Sequence, residues 1–326
     1  MIDLLQVKKQ DTQRCVLKVK LTSAKGTITP THKREEIVLL TGTNGFIGGK
    51  LLSHFIDNRE KYQIKKIVLF LRSEPKQADL PDWVTWNKSL EDCFAVDPTK
   101  IFHFAASTYR GTQPEEEITR NNLELTLRIW GMNEVGSQAD CFIASTYTKE
   151  SPKPSLYDAS KKALETLALP YSFANRFLII PDIYGGDDGR PKIWNLLQEA
   201  VDNREYEFEY RSTSNQTVFP LHVKDLVQMI GEVGFERVGT KKIKKIAFIP
   251  ESMKLLQVHH HFAGKEIQAS WGYEEITHPV GEIVRNSEIV YFISYPDPIE
   301  VFSEDSAPKI MRVEVDLLVS GRTFSF

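Results

Sequence analysis

A glycine-rich turn, within the segment IVLLTGTNGFIGGKLL at residues 37–52, constrains the fold of this chain more than any other feature. Ile37 to Leu40 form a continuous apolar run, which is typical of a strand buried on both faces of a parallel sheet. From Phe46 to Ile56 the apolar residues recur at about helical period, so the pattern predicts a helix that begins inside the turn. Strand, turn and helix in this order indicate a βαβ unit.

Three glycines, Gly42, Gly45 and Gly48, punctuate this turn. Glycine adopts backbone dihedrals that other residues avoid, and it lets a ligand or another backbone approach closely. The first N–H groups of the following helix have no intrahelical partners and carry partial positive charge, which favours a bound pyrophosphate. The spacing therefore indicates a dinucleotide-binding turn, with an ordinary tight strand-to-helix turn as the alternative.

Strand and helix patterns elsewhere predict an α/β fold built on a Rossmann-type doubly wound parallel sheet. Further strands are predicted at residues 67–71, 83–86, 100–106, 141–144, 176–180, 205–210, 289–294 and 312–319. Helices are predicted at residues 115–135, 157–167, 193–201, 223–233 and 252–262.

The predicted organisation has three parts. Residues 1–35 are an N-terminal extension, in which the alternation of residues 16–21 indicates a half-exposed strand. Residues 36–185 form the dinucleotide-binding Rossmann domain. Residues 186–326 are a smaller, mainly substrate-binding C-terminal part, from which a strand and a helix near 218–233 return to pack on the Rossmann domain.

Charge and cysteine usage narrow the class of partner. The formal net charge of -3 gives no basic surface for nucleic acid or for an anionic membrane, so we expect a small-molecule substrate in a pocket. The 3 cysteines are odd in number and far apart, which fits a reducing compartment better than a disulfide framework.

The N-terminus lacks the apolar core of a signal peptide, and no apolar run is long enough to span a bilayer. We therefore expect a cytoplasmic protein.

A second constellation lies on the predicted helix at residues 157–167, where Tyr157 and Lys161 stand four residues apart and so share one face. A phenol with a pKa near 10 is a poor acid or base at neutral pH, and a neighbouring cation favours its phenolate form. The preceding strand ends at Ser145 and Thr146, whose hydroxyls can hold a substrate carbonyl oxygen. The alternative is that a tyrosine and a lysine share this spacing by chance.

Over residues 36–235 the chain resembles the extended short-chain dehydrogenase/reductase superfamily, of the NAD-dependent epimerase/dehydratase type. The motifs that carry the resemblance are, in family order, TGTNGFIG at 41–48, HFAA at 103–106, the pair Asn122 and Thr126, YDASK at 157–161, PDIYG at 181–185 and LHVKDL at 221–226. Each motif is weak by itself. Their shared order makes the resemblance specific.

The resemblance implies that Tyr157 exchanges the proton, that Lys161 lowers its pKa and binds the nicotinamide ribose, and that Thr146 orients the substrate oxygen. Ser145 is the neighbouring alternative for that last role. The residues expected to bind the cofactor, besides Tyr157 and Lys161, are Gly42, Thr43, Gly45, Phe46, Ile47, Gly48, Ala105, Ala106, Asn122, Pro181 and Ile183. The family also implies a homodimer.

Arg72 and Ser73, at the end of the second Rossmann strand, bear on the choice of cofactor. An acidic residue at this place accepts hydrogen bonds from the ribose 2′-OH of NAD, whereas an arginine accommodates the 2′-phosphate of NADP. We therefore favour NADP(H), with NAD(H) as the alternative.

The chain also departs from the family pattern. The Asp–Glu pair that eliminates water in the dehydratases is replaced by Tyr147 and Thr148, so we do not expect dehydration. The family arginine before the PDIYG motif is Ile180. Basic residues that remain as candidates to hold a substrate diphosphate are Arg190, Lys192 and Arg211.

The resulting prediction is an NADP(H)-dependent ketoreductase that acts on the keto group of a nucleotide sugar or another small molecule. A nucleotide-sugar epimerase with tightly bound NAD is the alternative. A dinucleotide-binding sensor or scaffold without turnover is the alternative from another class.

No metal site is expected. The three consecutive histidines His259–His261 diverge by roughly 100° per residue on a helix and cannot converge on one ion. His103 is interpreted as a satisfied strand histidine, and His222 and Asp225 as structural residues at a strand end and a helix start.

Overall fold

The computed structural model describes residues 16–23, 35–77, 79–107, 114–150, 154–185, 192–236, 243–264, 267–274, 280–295, 301–302 and 307–318. The strands are β1 Val16–Ser23, β2 Glu36–Thr41, β3 Ile64–Phe70, β4 Val84–Asn87, β5 Lys100–His103, β6 Asp140–Thr146, β7 Asn175–Ile180, β8 Asp182–Tyr184, β9 Glu207–Ser212, β10 Thr217–Val218, β11 Pro220–His222, β12 Ile243–Pro250, β13 Met253–Lys254, β14 Gln268–Glu274, β15 Ile289–Ser294 and β16 Lys309–Leu318. The helices are α1 Phe46–Asp57, α2 Arg59–Tyr62, α3 Leu90–Phe94, α4 Glu115–Val135, α5 Leu156–Leu167, α6 Ile193–Asp202, α7 Val223–Phe235, α8 Leu255–Ala263 and α9 Val280–Arg285.

A 10-stranded sheet organises the described part of the chain, in the order β1-β16-β15-β12-β7-β6-β5-β2-β3-β4. The strands from β15 to β4 pair in parallel, and β16 and β1 add an antiparallel edge. The chain runs outward from β2 through β3 to β4 and then returns to the other side of β2 with β5. In open α/β sheets a ligand binds at the carboxyl ends of the strands where the order reverses in this way. The predicted doubly wound Rossmann-type fold is confirmed.

Side chains that alternate along the buried strands pack against two layers of helices, one on each face of the sheet. Val38 and Leu40 belong to the core under α1 and α7, whereas Leu39 belongs to the core under α3, α4 and α5. Trp130 of α4 is fully buried in this second core. Because successive side chains of a strand point to opposite faces, a strand covered on both faces is apolar along most of its length.

Most predicted elements are present with ends that differ by a few residues, but strand β12 was missed. It lies between β7 and β15 in the sheet, and its sequence IKKIAFIP carries two lysines in its first half. These lysines interrupt the apolar run by which a buried strand is recognised. Strand β14 and helix α9 were missed too, and β5 ends at His103 rather than at residue 106.

The predicted N-terminal strand is confirmed and is longer than expected, and it pairs antiparallel with β16 at the sheet edge. Within residues 186–326, strands β12, β15 and β16 extend the central sheet. Strand β11 and helix α7 lie near 218–233, and α7 packs against α1. The division at residue 186 stays a prediction. None of the described helices has the length and apolar character that a bilayer crossing requires.

Phe102 of β5 provides a test of this core. Its fully buried ring stacks on Phe142 at a centroid distance of 4.7 Å and meets Phe55 at 4.9 Å. We expect Phe102→Ala to lower the free energy of unfolding by about 3–5 kcal/mol, measured by urea denaturation. Trp86→Ala is the control, since that ring is 37% exposed on edge strand β4, and a loss of equal size there would contradict this account.

Candidate active site

The turn between β2 and α1 is closed by contacts from backbone to backbone. Gly42 has a φ of 80°, and a Cβ on it would lie 2.5 Å from the backbone nitrogen of Ala105. A Cβ on Gly48 would lie 2.2 Å from the carbonyl oxygen of Gly42. Any side chain at these two positions therefore forces the turn open. Gly45 is less constrained, because its nearest contact would be at 3.1 Å.

A cavity of about 470 Å³ opens beside this turn, at the reversal point of the sheet. Six of the predicted cofactor residues line it, namely Gly42, Gly45, Arg72, Ser73, Ala105 and Ala106. The other lining residues were not predicted, and they include Asn44, Ser107, Asn121, Glu124 and Arg128. The cavity therefore brings together residues from the turn, from the end of β3 and from the segment after β5.

Asn44 fixes the glycine turn to the segment that follows β3. Its amide donates hydrogen bonds to the hydroxyl of Ser73 at 3.2 Å and to the carbonyl of Glu74 at 3.0 Å. Its side-chain oxygen accepts from the backbone N–H of Lys76 at 2.9 Å. Arg72, directly before Ser73, is exposed and faces the same cavity. The end of β3 that was predicted to choose the cofactor is thus attached to the glycine turn.

Asn122 lies behind the cavity rather than in its lining, because it is buried in α4. It accepts from the backbone N–H of Ser107 at 2.7 Å and donates to the hydroxyl of Ser160 at 3.1 Å. Ser160 in turn donates to the carbonyl of Tyr157 at 2.7 Å. Asn122 therefore connects the cavity wall after β5 to the first turn of α5.

His103 is held in one tautomer by a closed set of hydrogen bonds. Thr126 donates to the carbonyl of Asn122 at 2.7 Å, so His103 Nε2, at 2.9 Å from that hydroxyl oxygen, must be the donor. Its Nδ1 then accepts from the hydroxyl of Thr41 at 2.7 Å. Burial lowers the pKa of His103 to about 3, which keeps the ring neutral. The interpretation as a satisfied strand histidine is confirmed.

Helix α5 presents Tyr157 and Lys161 on one face, and a capping box from Ser155 and Asp158 starts the helix. Lys161 Nζ lies 5.7 Å from the centre of the Tyr157 ring. Tyr157 is half-buried, whereas Lys161 is 3% exposed. Desolvation lowers the pKa of Lys161 from 10.5 to about 8, so near neutral pH it is still an ammonium that favours a neighbouring phenolate.

Glu165 attaches helix α5 to two other segments through ion pairs. Its carboxylate forms one ion pair with Lys149, whose side chain is fully buried, and another with Lys245 of β12 at 2.7 Å. Tyr157, Lys161 and Glu165 are spaced four residues apart and so share one helical face. The missed strand β12 thus contributes directly to holding the helix that carries the tyrosine.

Strand β6 ends in a group of hydroxyls with different partners. Ser145 is 4% exposed, and its hydroxyl has no hydrogen-bond partner among the residues that the structure describes. Thr146 lies 3.0 Å, between hydroxyl oxygens, from Thr148. Tyr147 donates its phenolic proton to the carbonyl of Phe248, and burial raises the pKa of that phenol well above its ordinary value.

The remaining predicted site residues lie on or next to β8, near the start of α6, on β9 or outside the described residues. Pro181, which links β7 to β8, is half-buried, and Ile183 of β8 is buried. Lys192 pairs with Asp182 at 3.6 Å, and Arg211 is exposed on β9. Arg190 lies outside the residues that the structure describes.

Thr43 and the histidines of the segment His259–His261 and at His222 are further polar residues that the sequence singled out. The hydroxyl of Thr43 is buried without a partner in the described ranges, next to the glycine turn. His259 is buried, with Nδ1 2.8 Å from the Tyr210 hydroxyl and Nε2 3.1 Å from the carbonyl of Ile267. No group of three metal-ligating side chains occurs in the described part of the chain, and His222 caps α7 by accepting from the N–H of Lys224 at 3.2 Å.

Several site residues could not be identified from the motifs, because the motifs do not specify the residue type at their positions. Asn44 and Asn121 stand beside motif residues, and only the fold turns their side chains to the cavity. Asp158 occupies a variable position inside the YDASK pattern, and Glu165 lies beyond it. Helical spacing from Tyr157 was a signal for Glu165, but its two lysine partners come from remote segments.

Comparison with known proteins places this geometry in a family. The model of the NAD dependent epimerase/dehydratase family matches residues 38–233. No curated protein gives a significant sequence match.

Solved structures of this architecture superpose on most of the chain. MoeE5 in complex with UDP-glucuronic acid and NAD has a TM-score of 0.60 at 20% identity, covering 73% of this chain and 86% of that chain. The Helicobacter pylori ADP-L-glycero-D-manno-heptose-6-epimerase has a TM-score of 0.62 at 14% identity, with coverages of 79% and 92%. The Thermotoga maritima UDP-glucose 4-epimerase with UDP-glucose has a TM-score of 0.59 at 16% identity, with coverages of 74% and 87%. At these identities the likeness concerns the fold.

Burial of Lys161 predicts a measurable pH dependence of stability. Between pH 8 and 10.5 the unfolded chain still binds the proton that the folded chain has lost, so the free energy of unfolding contributed by this group rises with pH in that window. Below about pH 8 both states are protonated and the full burial cost is present, about 3 kcal/mol from the difference between the two pKa values.

Lys161→Met removes this cost. We expect the variant without cofactor to be more stable than the parent at pH 7 by up to about 3 kcal/mol and to lose the extra rise between pH 8 and 10.5, measured by urea denaturation. Lys162→Met is the control, because that neighbouring lysine is exposed. Equal stabilities of Lys161→Met and the parent at pH 7 would contradict the burial of a charged Lys161.

Proposed function

The chain belongs to the NAD-dependent epimerase/dehydratase family, and on that premise we propose that it interconverts a hydroxyl and a keto group on a nucleotide sugar, with Tyr157 as the acid/base. The observation that carries the proposal is the pairing of Tyr157 with the buried Lys161 on α5, at the carboxyl edge of a sheet whose glycine turn cannot admit side chains. A phenol beside a buried ammonium is suited to exchange a proton with a reacting oxygen.

Tyr157 gives a proton to the substrate oxygen when a ketone is reduced and takes it back when an alcohol is oxidised. The ammonium of Lys161 makes either step easier because it favours the phenolate. A nicotinamide dinucleotide supplies the hydride transfer when bound. The glycine turn, the buried Thr43 hydroxyl and the cavity wall at Ala105 and Ala106 fit its pyrophosphate and adenosine ends.

The cofactor preference is proposed from charge. Arg72 and Arg128 both line the cavity, and Arg128 forms an ion pair with Glu91 at 3.3 Å. An arginine at the end of the second strand suits the 2′-phosphate of NADP(H), which we keep as the favoured cofactor. NAD(H) is the alternative, because the solved complexes of MoeE5 contain NAD.

Two reactions remain as candidates. The absence of an acidic pair after Thr146 and the proposed NADP(H) preference favour a ketoreductase. The names of solved neighbours, which include two UDP-glucose 4-epimerases and a heptose epimerase, favour an epimerase that oxidises an alcohol and reduces it again. Dehydration is disfavoured because the Tyr147 hydroxyl is bonded to a backbone carbonyl and Thr148 to Asp158.

A nucleotide sugar is proposed as substrate because several of the solved neighbours are named for nucleotide sugars or contain them. Lys192 and Arg211 are the described basic candidates for its diphosphate. The cytoplasmic location and the homodimer stay predictions; the molecular mass in solution checks the latter. Leu156 and Leu167 on α5, exposed by 43% and 38%, are available to such an interface.

Tyr157→Phe tests the reaction. We expect the turnover number to fall by at least about 100-fold, because the ring stays while the transferable proton is lost, and cofactor affinity to change little. Turnover is measured on a panel of keto and hydroxyl nucleotide sugars, as the change in NADPH or NADH absorbance for net reduction or oxidation and by chromatography of the sugar products for epimerisation. Tyr206→Phe is the control, since that side chain is 78% exposed. Unchanged turnover in Tyr157→Phe would reject the assignment, and cofactor binding without turnover on any substrate would point to a sensor or scaffold.

Arg72→Ser tests the cofactor. If Arg72 contacts a 2′-phosphate, the substitution weakens NADPH binding by about 10- to 100-fold and leaves NADH binding nearly unchanged, since one charge-assisted hydrogen-bond site is lost. Binding is measured by titration of intrinsic fluorescence. Arg120→Ser, an exposed arginine of α4, is the matched control. Tighter binding of NADH than of NADPH by the parent protein would refute the role given to Arg72.

A further inference from the structure

Three side chains connect the end of β6 to the start of α5. The hydroxyl oxygens of Thr146 and Thr148 are 3.0 Å apart, and Thr148 donates to Oδ1 of Asp158. Asp158 is 7% exposed and directly follows Tyr157. We refer to these residues as the Thr146–Thr148–Asp158 chain.

The carboxylate sets the direction of every hydrogen bond in this chain. An ionised carboxylate only accepts, and Oδ2 of Asp158 already accepts from the N–H of Ser155 at 3.0 Å and from its hydroxyl at 2.6 Å. Thr148 has one proton, and Asp158 receives it. The contact between the two threonines must therefore run from the Thr146 proton to the Thr148 oxygen.

Thr146 is left with lone pairs only. One of them faces the backbone N–H of Thr148, which donates to it at 3.4 Å. Its remaining capacity is that of an acceptor, so it can pair with a ligand O–H but cannot donate to a ligand carbonyl. A ketone at this place would face lone pairs unless the Thr146 proton left Thr148.

We propose that Asp158 is a positioning residue that acts through Thr148 to make Thr146 a hydrogen-bond acceptor, and that the site thereby selects the hydroxyl form of its ligand over the keto form. This inference rests on the proposed function and on the role that the family resemblance gives to Thr146, which is to orient the substrate oxygen. It deepens that proposal, because a site that holds an alcohol suits the reaction that begins with oxidation. Of the two candidates above, the Thr146–Thr148–Asp158 chain favours the epimerase.

We expect Asp158→Asn to reverse the donor and acceptor roles along the Thr146–Thr148–Asp158 chain. The amide oxygen replaces Oδ2 as the acceptor for Ser155, which keeps the capping box, and the amide nitrogen replaces Oδ1 as a donor to Thr148. Thr148 then donates to Thr146, and the Thr146 proton is released towards the ligand. The variant should therefore gain affinity for a ketone and lose affinity for an alcohol, with no change in the size of the side chain.

The test measures dissociation constants rather than kinetic constants. The equilibrium constant of the reaction fixes the ratio of kcat/KM in the two directions, so no variant can change that ratio. The probes are UDP-glucose, titrated with reduced cofactor present, and UDP-4-keto-6-deoxyglucose, titrated with oxidised cofactor present, so that neither complex reacts. We expect the ratio of Kd for the ketone to Kd for the alcohol to fall about tenfold in Asp158→Asn. Thr148→Val, which also uncouples the Thr146 proton, should lower the ratio by a smaller factor.

Asp140→Asn is the matched control, since Asp140 lies at the opposite end of β6 and pairs with Lys100 at 2.9 Å. Its ratio should equal that of the parent protein. Thermal denaturation verifies that each variant is folded, and if Asp158→Asn does not fold, Thr148→Val decides the outcome. Ratios that are unchanged in the folded variants would overturn the role of Asp158.

Neutron diffraction from deuterium-exchanged crystals of the parent protein separates this inference from the proposed function. The expected map places the Thr146 deuteron on the line to the Thr148 oxygen, and a deuteron on Thr148 that points to Thr146 would overturn the inference. If neither probe binds to the parent protein although the cofactor does, a UDP-hexose substrate is rejected. The neutron map then decides the direction of the Thr146–Thr148–Asp158 chain alone.

Discussion

The contact of Gly42 with the backbone on both sides of it is the constraint on which the rest of the site depends. Its carbonyl lies where a Cβ on Gly48 would be, and its own Cβ position is filled by the chain at Phe104 and Ala105. Strand β2, helix α1 and the segment after β5 can meet this closely only without side chains. The cavity beside the turn takes its shape from that approach, and residues that do not touch the turn, such as Arg72, are positioned relative to it through Asn44.

Buried polar groups behind this contact form connected hydrogen-bond sets rather than isolated pairs. Thr41, His103 and Thr126 close one set, and Asn122 continues from Thr126 to Ser107 and to α5. An unpaired polar group in the core costs free energy, so the bonds have fixed directions as well as fixed partners. Those directions determine chemistry. They leave Nδ1 of His103 as an acceptor, and at the end of β6 they set the direction that we propose for the proton of Thr146.

Helix α5 carries three charged residues, each four or fewer residues from the next, that are held in different ways. Asp158 is bonded at the capping box, Lys161 is desolvated, and Glu165 lies between the two lysines Lys149 and Lys245. A buried carboxylate with two cationic partners stabilises the helix position without neutralising Lys161, which is four residues away. Tyr157 therefore stands on a helix whose orientation is fixed from both ends. Strand β12 supplies part of that support, although its sequence did not identify it as a core strand.

The sequence by itself determined the fold class, the order of the Rossmann strands, the glycine turn and the Tyr157–Lys161 pair. These features depend on local patterns, since periodicity and short spacings are properties of neighbouring residues. Strand β12 escaped because its burial comes from β7 and β15, which lie far away in the chain. Asn44, Glu165 and Asp158 escaped because their roles depend on partners that only folding brings within hydrogen-bond distance. Only the tertiary structure brings the Asp158 carboxylate against Thr148, because the two residues lie on different elements, and the direction that we propose for the Thr146 proton follows from that contact.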